Sequence, residues 1–401
     1  MTQATLSPAR PLLAGTTYAV IFAVSFSHFL NDIMQSLLAA LYPMLKADYS
    51  LAFWQIGLLT FVFQVTASLL QPVVGIYTDK NPLPRSLPMG MASTLCGLLL
   101  LAFAHSYPIL VLGAGLIGIG SAVFHPEASR VARLASGGRY GFAQSTFQVG
   151  GNFGTAAGPL LAAFIVVPRG QESVAWFSLA AFIGMVVLWK VGSWYARALA
   201  EQAKRPAASV FGALTRWRVV LALCVLALLT FSKNIYMASF QSFYTFYVID
   251  RFGVSVQGSQ IMLFVFLGAA AVGTIIGGPI GDRLGAKVVI WFSILGALPF
   301  TLALPYANYE WTIVLTVLIG VIMASAFPAI VVFAQELVPG RVGMIAGIFF
   351  GFAFGMGGIA AAVLGVLADA KGIDFVYRVC SFLPLLGLLT IFLPRVASPR
   401  V

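Results

Sequence analysis

The chain alternates between long apolar runs and short interruptions by proline, glycine or charge. Cutting it at those interruptions leaves twelve apolar segments of roughly 20 residues, and a helix of that length crosses the ~30 Å hydrocarbon core of a bilayer. The segments lie near residues 17–43, 53–78, 87–105, 108–134, 140–167, 173–195, 217–248, 256–281, 286–305, 310–336, 341–368 and 376–394. The pattern predicts an all-α membrane protein with twelve transmembrane helices.

Composition agrees with this and leaves little chain outside the bilayer. Of the 401 residues, 60% are hydrophobic and 9% are charged, whereas soluble domains carry about 25% charged residues. The longest stretch left for a soluble domain is 196–216. The first segment carries Asp32 and lacks a small-residue cleavage pattern, which indicates a retained helix and not a signal peptide. The three cysteines are far apart with apolar neighbours, so neither a disulfide nor a metal site is expected.

Membrane orientation accounts for the formal net charge of +11. Basic residues concentrate in the loops on one side of the twelve segments, as they do in the cytoplasmic loops of membrane proteins. The opposite loops hold only Lys46, Arg169, Arg251, Lys371 and Arg378. An even number of segments then places both termini in the cytoplasm, and no nucleic-acid partner is expected.

The sequence repeats itself at about half its length. Gly75 and Asp79 after the second segment recur as Gly278 and Asp282 after the eighth, 203 positions later. Transporters are commonly built from repeated halves with the substrate site between them. We therefore expect two pseudo-symmetric halves of six helices each. The expected units are a first half at 1–200, a cytoplasmic linker at 201–216 and a second half at 217–401.

Ionisable residues inside the apolar segments mark the candidate site, because charge is costly in a bilayer and usually faces a cavity. In the first segment, His28 and Asp32 share one helix face and make a candidate proton-sensitive pair, although a single buried histidine is more often a satisfied core group. In the fourth segment, His125, Glu127 and Arg130 lie within two turns. An anion that competes for Arg130 would change the proton affinity of Glu127. Anchoring at the inner surface is the alternative role for the arginine.

Two polar stripes extend the candidate site. In the seventh segment Lys233, Tyr236 and Tyr244 lie on one face, and Lys233 has no acid within two turns of its own helix. Aromatic stripes more often serve packing than binding. In the fifth segment Gln148 and Asn152 are one turn apart. Together the stripes favour a site that takes an anion.

The loop "GPIGDRLGAK" resembles the signature of the major facilitator superfamily, a family of twelve-helix transporters. Gly278, Asp282 and Arg283 occupy its positions, and in the family this loop acts as a cytoplasmic latch between helices. The first-half copy, "GIYTDKNPLPR", keeps Asp79 but has Pro82 where glycine is expected. It is the weaker match of the two.

A glycine pattern in the fifth segment, "GFAQSTFQVGGNFGTAAGP", is similar to that of the family's antiporters and favours export. The residues that match are Gly141, Gly150, Gly154, Gly158 and Pro159. The resemblance implies a gating role for them, although close helix packing explains the same spacing. Many family exporters also carry an arginine in helix four, where this chain has Ala114, so proton coupling does not follow from that motif.

The chain resembles the fosmidomycin resistance branch of the superfamily over essentially its whole length. Three sequence stretches carry the resemblance: "SHFLNDIMQSLLAALYPML", "VFHPEASRVARLASGGR" and "FFGFAFGMGG". The branch is similar to bacterial inner-membrane exporters that exchange an anionic phosphonate drug for protons. It implies a substrate, protons and the lipid bilayer as partners, a monomer, and no cofactor.

From the residues and the resemblance together, we predict a central cavity between the halves. Its predicted substrate-binding residues are His28, Arg130, Lys233, Gln148, Asn152, Tyr236 and Tyr244, and its predicted proton-coupling residues are Asp32, Glu127 and His125. The same fold would also suit a proton-coupled transporter of a natural metabolite. An intramembrane enzyme is disfavoured, because the three histidines form no paired metal-ligand or nucleophile motif.

Overall fold

A computed structural model describes residues 15–51, 53–203 and 215–394. Within these ranges the chain is helical, and twelve helices correspond to the twelve predicted segments. Their bounds are α1 Tyr18–Ala40, α2 Leu58–Lys80, α3 Ser86–Ala102, α4 Tyr107–Ala135, α5 Tyr140–Arg169, α6 Gln171–Glu201, α7 Arg216–Phe252, α8 Ile261–Leu284, α9 Ala286–Tyr306, α10 Tyr309–Leu337, α11 Val342–Lys371 and α12 Ile373–Phe392. Residues 204–214 of the predicted linker and both chain termini lie outside the described residues.

Ten of the helices are long and apolar enough to cross a bilayer by themselves. The other two have a physical reason to fall short. Helix α3 is apolar but has 17 residues. Helix α1 is long enough, but it buries five polar side chains within its length, namely Ser27, His28, Asn31, Asp32 and Gln35. The polar side chains of α1 are therefore turned into the bundle.

Two helices contain a π-helical turn, which is frequent at functional sites. In α2 the turn covers Val65–Leu69, and in α5 it covers Ala162–Val166, shortly after Pro159. The end of α12 is a 3₁₀ helix, Leu383–Phe392.

The glycine stripe of α5 packs inside the first half. A side chain on Gly150 would overlap the Ser25 carbonyl, one on Gly154 the Phe29 carbonyl, and one on Gly158 the Ser36 hydroxyl, all on α1. The small residues thus bring α1 and α5 into backbone contact, the role of small residues in membrane helices generally. These three glycines contact α1 of their own half and not the other half, and their gating role stays a prediction.

Other glycines form the contact between the halves. A side chain on Gly75 of α2 would overlap the Gly343 carbonyl of α11, and one on Gly141 of α5 would overlap the Gly278 carbonyl of α8. These two pairs are related by the internal repeat. Both lie at the end of the bundle where the basic loops concentrate, which we call the basic end.

Candidate functional site

Three ionisable side chains from α1 and α4 meet inside the first half. His28, Asp32 and His125 are all buried. The Nε2 atoms of the two histidines are 3.2 Å apart, and the Asp32 carboxylate lies 3.3 Å from His28 Nε2 and 3.7 Å from His125 Nε2. The sequence placed His28 and Asp32 one helical turn apart, and the structure adds His125 across the helix interface. We call these three residues the His–Asp cluster.

Backbone carbonyls fix the protonation of both rings. His28 Nδ1 lies 2.8 Å from the Phe147 carbonyl oxygen, and His125 Nδ1 lies 3.0 Å from the Ser121 carbonyl oxygen. A carbonyl only accepts, so each Nδ1 carries the hydrogen and donates it. In the neutral rings the two Nε2 lone pairs then face each other and the Asp32 carboxylate.

The His–Asp cluster therefore needs a cation. Three acceptors that converge in a buried space repel one another unless a positive charge lies between them. Asn31 and Gln35 donate to Asp32 Oδ1 at 3.0 and 2.9 Å, which holds the carboxylate in place. The three donor atoms lie within 4.8 Å of one another, close enough to share a proton or to hold a metal ion.

Aromatic rings from both halves enclose the His–Asp cluster. The His28 ring stacks on Phe147, with 4.1 Å between centroids. Phe350 and Phe354 of α11 lie 5.3 and 5.1 Å from the His125 ring. Because α11 belongs to the second half, a movement of the halves apart would uncover His125. Sequence reasoning missed both phenylalanines, because they lie in the apolar stretch "FFGFAFG" among other phenylalanines.

Lys233 of α7 lies on the far side of these rings. Its Nζ is 5.3 Å from the centroid of Phe327, and Phe327 is 5.1 Å from Phe350. Among the described residues, Lys233 has no hydrogen-bond acceptor and no acidic partner within 4 Å. The side chain is partly exposed. Lys233 thus lies within the apolar helix α7 without an ionic partner among the described residues.

Unsatisfied polar atoms lie on the same helices as Lys233 and the predicted α5 stripe. Gln148 Oε1, Asn234 Nδ2 and the Tyr236 hydroxyl are buried without a hydrogen-bond partner. Gln148 donates to Asn152 at 3.2 Å, and Asn152 donates to Thr274 of α8 at 3.4 Å, so this stripe connects the halves. Buried polar groups without partners are uncommon in native structures and mark places where a ligand or water binds.

Tyr244 does not join the site. It is fully buried in an aromatic cluster of the second half, and its hydroxyl lies 2.5 Å from Thr316 Oγ1. Tyr236 packs at the edge of the same cluster, 5.4 Å from Phe240, but keeps its free hydroxyl. Packing thus accounts for Tyr244, and Tyr236 alone of the two retains a polar group for a ligand.

Arg130 and Glu127 are not at the His–Asp cluster, in contrast to the sequence expectation. Arg130 lies at the basic end of α4, where its guanidinium contacts Asp79 at 2.5 Å and Glu127 at 2.8 Å. It also donates to the Thr78 carbonyl at 2.8 Å and to the Tyr195 hydroxyl at 3.4 Å. In this structure the Arg130 guanidinium is thus occupied by protein groups, and its predicted contact with a substrate stays a prediction.

Two aspartates tie the halves together at the basic end. Asp79 accepts from the backbone N–H groups of Gly343 and Met344 at 2.9 and 2.8 Å. Asp282 accepts from Gly141 and Phe142 at 2.6 and 2.8 Å. Each carboxylate therefore caps the first turn of a helix in the other half, where the helix dipole favours an anion. Arg283, the neighbouring signature residue, is exposed.

The glycine contacts at the basic end give a first testable expectation. Gly75→Val should hold the two halves apart there, because its side chain has no room against the Gly343 backbone. The distance between spin labels on the exposed residues Lys80 and Arg341 should lengthen, and transport should fall. Gly357→Val is the control, since nothing lies within 4 Å of a Cβ atom placed there. Unchanged label distances in Gly75→Val would contradict closure by this contact.

Comparison with known proteins places the chain among transporters. The family model described as Major Facilitator Superfamily matches residues 24–255 and 226–401. The chain is 58% identical over 381 residues to the Fosmidomycin resistance protein of Escherichia coli strain K12, covering 95% of this chain and 94% of that protein. It is 42% identical over 383 residues to the uncharacterized MFS-type transporter YfnC of Bacillus subtilis, covering 94% and 93%.

Solved structures with low sequence identity share the fold. The fucose transporter FucP in its outward conformation superposes with a TM-score of 0.72 at 17% identity, over 94% of this chain and 98% of that chain. The human organic anion transporter MFSD10 gives 0.73 at 16% identity, over 94% and 99%. The predicted architecture of twelve helices in two six-helix halves is confirmed.

Proposed function

The chain belongs to the Major Facilitator Superfamily, and we propose that it exports a small anionic drug of the fosmidomycin type in exchange for protons. The observation that carries the proposal is the 58% identity, over nearly the whole chain, to a relative named for fosmidomycin resistance. Two features of the chain support it: a membrane-embedded cation without a partner, and a buried His–Asp cluster that needs a positive charge.

In the proposed mechanism, Lys233 binds the anion. A phosphonate offers several oxygens to an ammonium with three donors, and we expect Gln148 and Asn152 of α5 and the Tyr236 hydroxyl of α7 to add neutral polar groups. The Lys233 ammonium forms no salt bridge with the described residues. An anionic ligand therefore does not have to displace a protein carboxylate from it.

The proton is held by the His–Asp cluster. With both Nδ1–H groups donated to carbonyls, a proton that enters the cluster binds an Nε2 atom and is shared with Asp32. The neighbouring Phe350 and Phe354 shield it from water when α11 is packed against α4. Separation of the halves would expose the cluster and release the proton.

Opening and closing follow from the latches at the basic end. The Asp79 and Asp282 caps and the glycine contacts close that end in this structure. We place the basic end in the cytoplasm, because positive loops face inward, with both termini on the same side and the chain acting as a monomer in the bacterial inner membrane. The structure would then be the state closed to the cytoplasm, with the His–Asp cluster shielded from water.

Removal of the Lys233 charge is the direct test of anion binding. Lys233→Met should weaken fosmidomycin binding by about tenfold or more, because a hydrogen bond to a charged group contributes about 1.5–3 kcal/mol. Equilibrium binding to the purified protein measures this. Lys190→Met, which removes an exposed lysine of α6, is the matched control and should bind normally. Equal binding by both variants would remove Lys233 from the substrate site.

A substrate screen separates drug export from transport of a natural metabolite. Cells with the protein should tolerate more fosmidomycin than cells without it, and collapse of the proton gradient should abolish the difference. Equal tolerance in both strains would overturn the proposed substrate class.

A further inference from the structure

The His–Asp cluster has the donor atoms of a zinc ligand set. Imidazole nitrogen and carboxylate oxygen are both common ligands of Zn²⁺. His28 and Asp32 come from α1, and His125 comes from α4, 97 positions after His28. This separation explains why the sequence shows no paired metal-ligand motif and predicts no metal, because a local pattern reports only the two residues of α1.

The three donor groups are spaced like the ligands of one tetrahedral ion. Bonds of about 2.0–2.1 Å place neighbouring ligands of a tetrahedral Zn²⁺ ion about 3.3–3.4 Å apart. The two Nε2 atoms are 3.2 Å apart, and the Asp32 carboxylate lies 3.3 Å from His28 Nε2 through Oδ2 and 3.7 Å from His125 Nε2 through Oδ1. The three ligands therefore span one face of a coordination tetrahedron, and an ion bound there would bridge α1 and α4.

Backbone contacts hold both imidazole rings in the ligating form. His28 Nδ1–H donates to the Phe147 carbonyl at 2.8 Å, and His125 Nδ1–H donates to the Ser121 carbonyl at 3.0 Å. Histidines that bind a metal almost always donate their other ring N–H in this way, which fixes the tautomer and the ring orientation. Both Nε2 lone pairs are thus directed into the cluster before any ion arrives.

The carboxylate is oriented in the same manner. Asn31 and Gln35 both donate to Oδ1 of Asp32, while Oδ2 is the oxygen nearer to His28 Nε2. Gly151 of α5 leaves room beside these ligands, since a Cβ atom there would overlap His28 Nε2 and lie 2.8 Å from Asp32 Oδ2. Glycine at this position therefore keeps the side chains of α5 out of the space next to the two donors from α1.

Charge also favours a cation with two positive charges. The neutral imidazoles and the carboxylate together carry a charge of −1, and the described residues place no lysine or arginine within 4 Å of Asp32. A dication would leave the buried cluster with the same magnitude of charge and would replace the repulsion among three acceptors by three bonds.

We propose that the His–Asp cluster is a binding site for a divalent transition-metal ion, namely Zn²⁺, ligated by His28 Nε2, His125 Nε2 and a carboxylate oxygen of Asp32. Three protein ligands leave a fourth position for water, as in open zinc sites. Mg²⁺ and Ca²⁺ prefer oxygen ligands and should not bind. The ion would use the lone pairs that hold the proton in the proposed function, so a metal-loaded chain has no place for that proton.

Metal binding by the purified full-length protein, freed of any polyhistidine tag, tests the proposal. Calorimetric titration should show about one Zn²⁺ ion bound per chain, and Mg²⁺ or Ca²⁺ should give no binding. X-ray absorption of the zinc-loaded protein should show two imidazole nitrogens and oxygen ligands at about 2.0–2.2 Å. Co²⁺ in the same site should give the intense visible absorption of tetrahedral coordination.

Two histidine variants locate the ion. His125→Gln removes one ligand and should weaken Zn²⁺ binding roughly 100-fold or more, since loss of even an outer contact costs 10–100-fold. His105→Gln is the matched control, because His105 is exposed between α3 and α4, and it should bind Zn²⁺ like the wild type. X-ray absorption of the wild type decides the ligand set even if His125→Gln fails to fold.

Absence of Zn²⁺ binding by the wild type would overturn the proposal, and so would equal affinity in His125→Gln. A spectrum with a sulfur ligand or without two imidazoles, or loss of binding in His105→Gln, would place the ion elsewhere and overturn it as well. These measurements use neither drug nor proton gradient, so their outcome is independent of the proposed export function.

Discussion

Asp32→Asn should reduce proton-driven drug transport by at least about 100-fold, the effect expected when a buried charge interaction of about 3 kcal/mol is lost. The reason lies in the hydrogen bonding of the His–Asp cluster. Asp32 only accepts, so the two Nε2 lone pairs beside it need a proton. An asparagine amide carries two N–H hydrogens and can donate to both lone pairs, so the cluster is then satisfied without any cation. The variant should lose the proton and keep the anion site.

Vesicles with an acidic interior provide the measurement. Wild-type protein should accumulate radiolabelled fosmidomycin from outside as protons leave, and Asp32→Asn should not respond to the gradient although it still binds the drug. Glu310→Gln removes an exposed acid far from the cluster and should transport normally. Gradient-driven accumulation by Asp32→Asn at the wild-type rate would show that the coupling proton is held elsewhere.

Arg130→Ala should destabilise the protein by about 3–5 kcal/mol, the usual cost when one partner of a buried ion pair is removed. The substitution leaves Glu127, which is fully buried, and Asp79 without their shared cation. Asp79 would still cap α11, but two unneutralised carboxylates would repel each other behind the cap. The expected result is a lower unfolding temperature and easier opening of the basic end.

Thermal unfolding in detergent, with spin-label distances between Lys80 and Arg341, measures both effects. Arg283→Ala is the matched control, because Arg283 lies in the equivalent loop but is exposed. Glu127→Gln combined with Arg130→Ala should recover part of the loss, since it removes one of the stranded charges. If Arg130→Ala unfolds at the wild-type temperature, the network is not a stabilising latch.

The loops around Asp79 and Asp282 show which features the sequence predicts and which only the structure reveals. The signature loops drew attention to Asp79 and Asp282, and the structure places each carboxylate at the N-terminus of a helix in the other half; their role as a latch stays a prediction. The loop in the first half, around Asp79, was the weaker match by its pattern, yet it has the complete ion network. Its partner Arg130 comes from another helix, 51 positions away, and no local pattern reports that distance.

The sequence by itself determined the twelve helices, their repeat and the pairing of His28 with Asp32, since apolar run length and helical periodicity are properties of neighbouring residues. The tertiary structure alone decided that His125 faces His28, that Arg130 pairs with Asp79, and that the α5 glycines pack against α1. These outcomes depend on which faces of the helices pack against each other. The apolar segments resemble one another, so no short sequence pattern specifies that packing. Burial then selects among the contacts, because each ionisable group within the bundle must find a partner or a cavity.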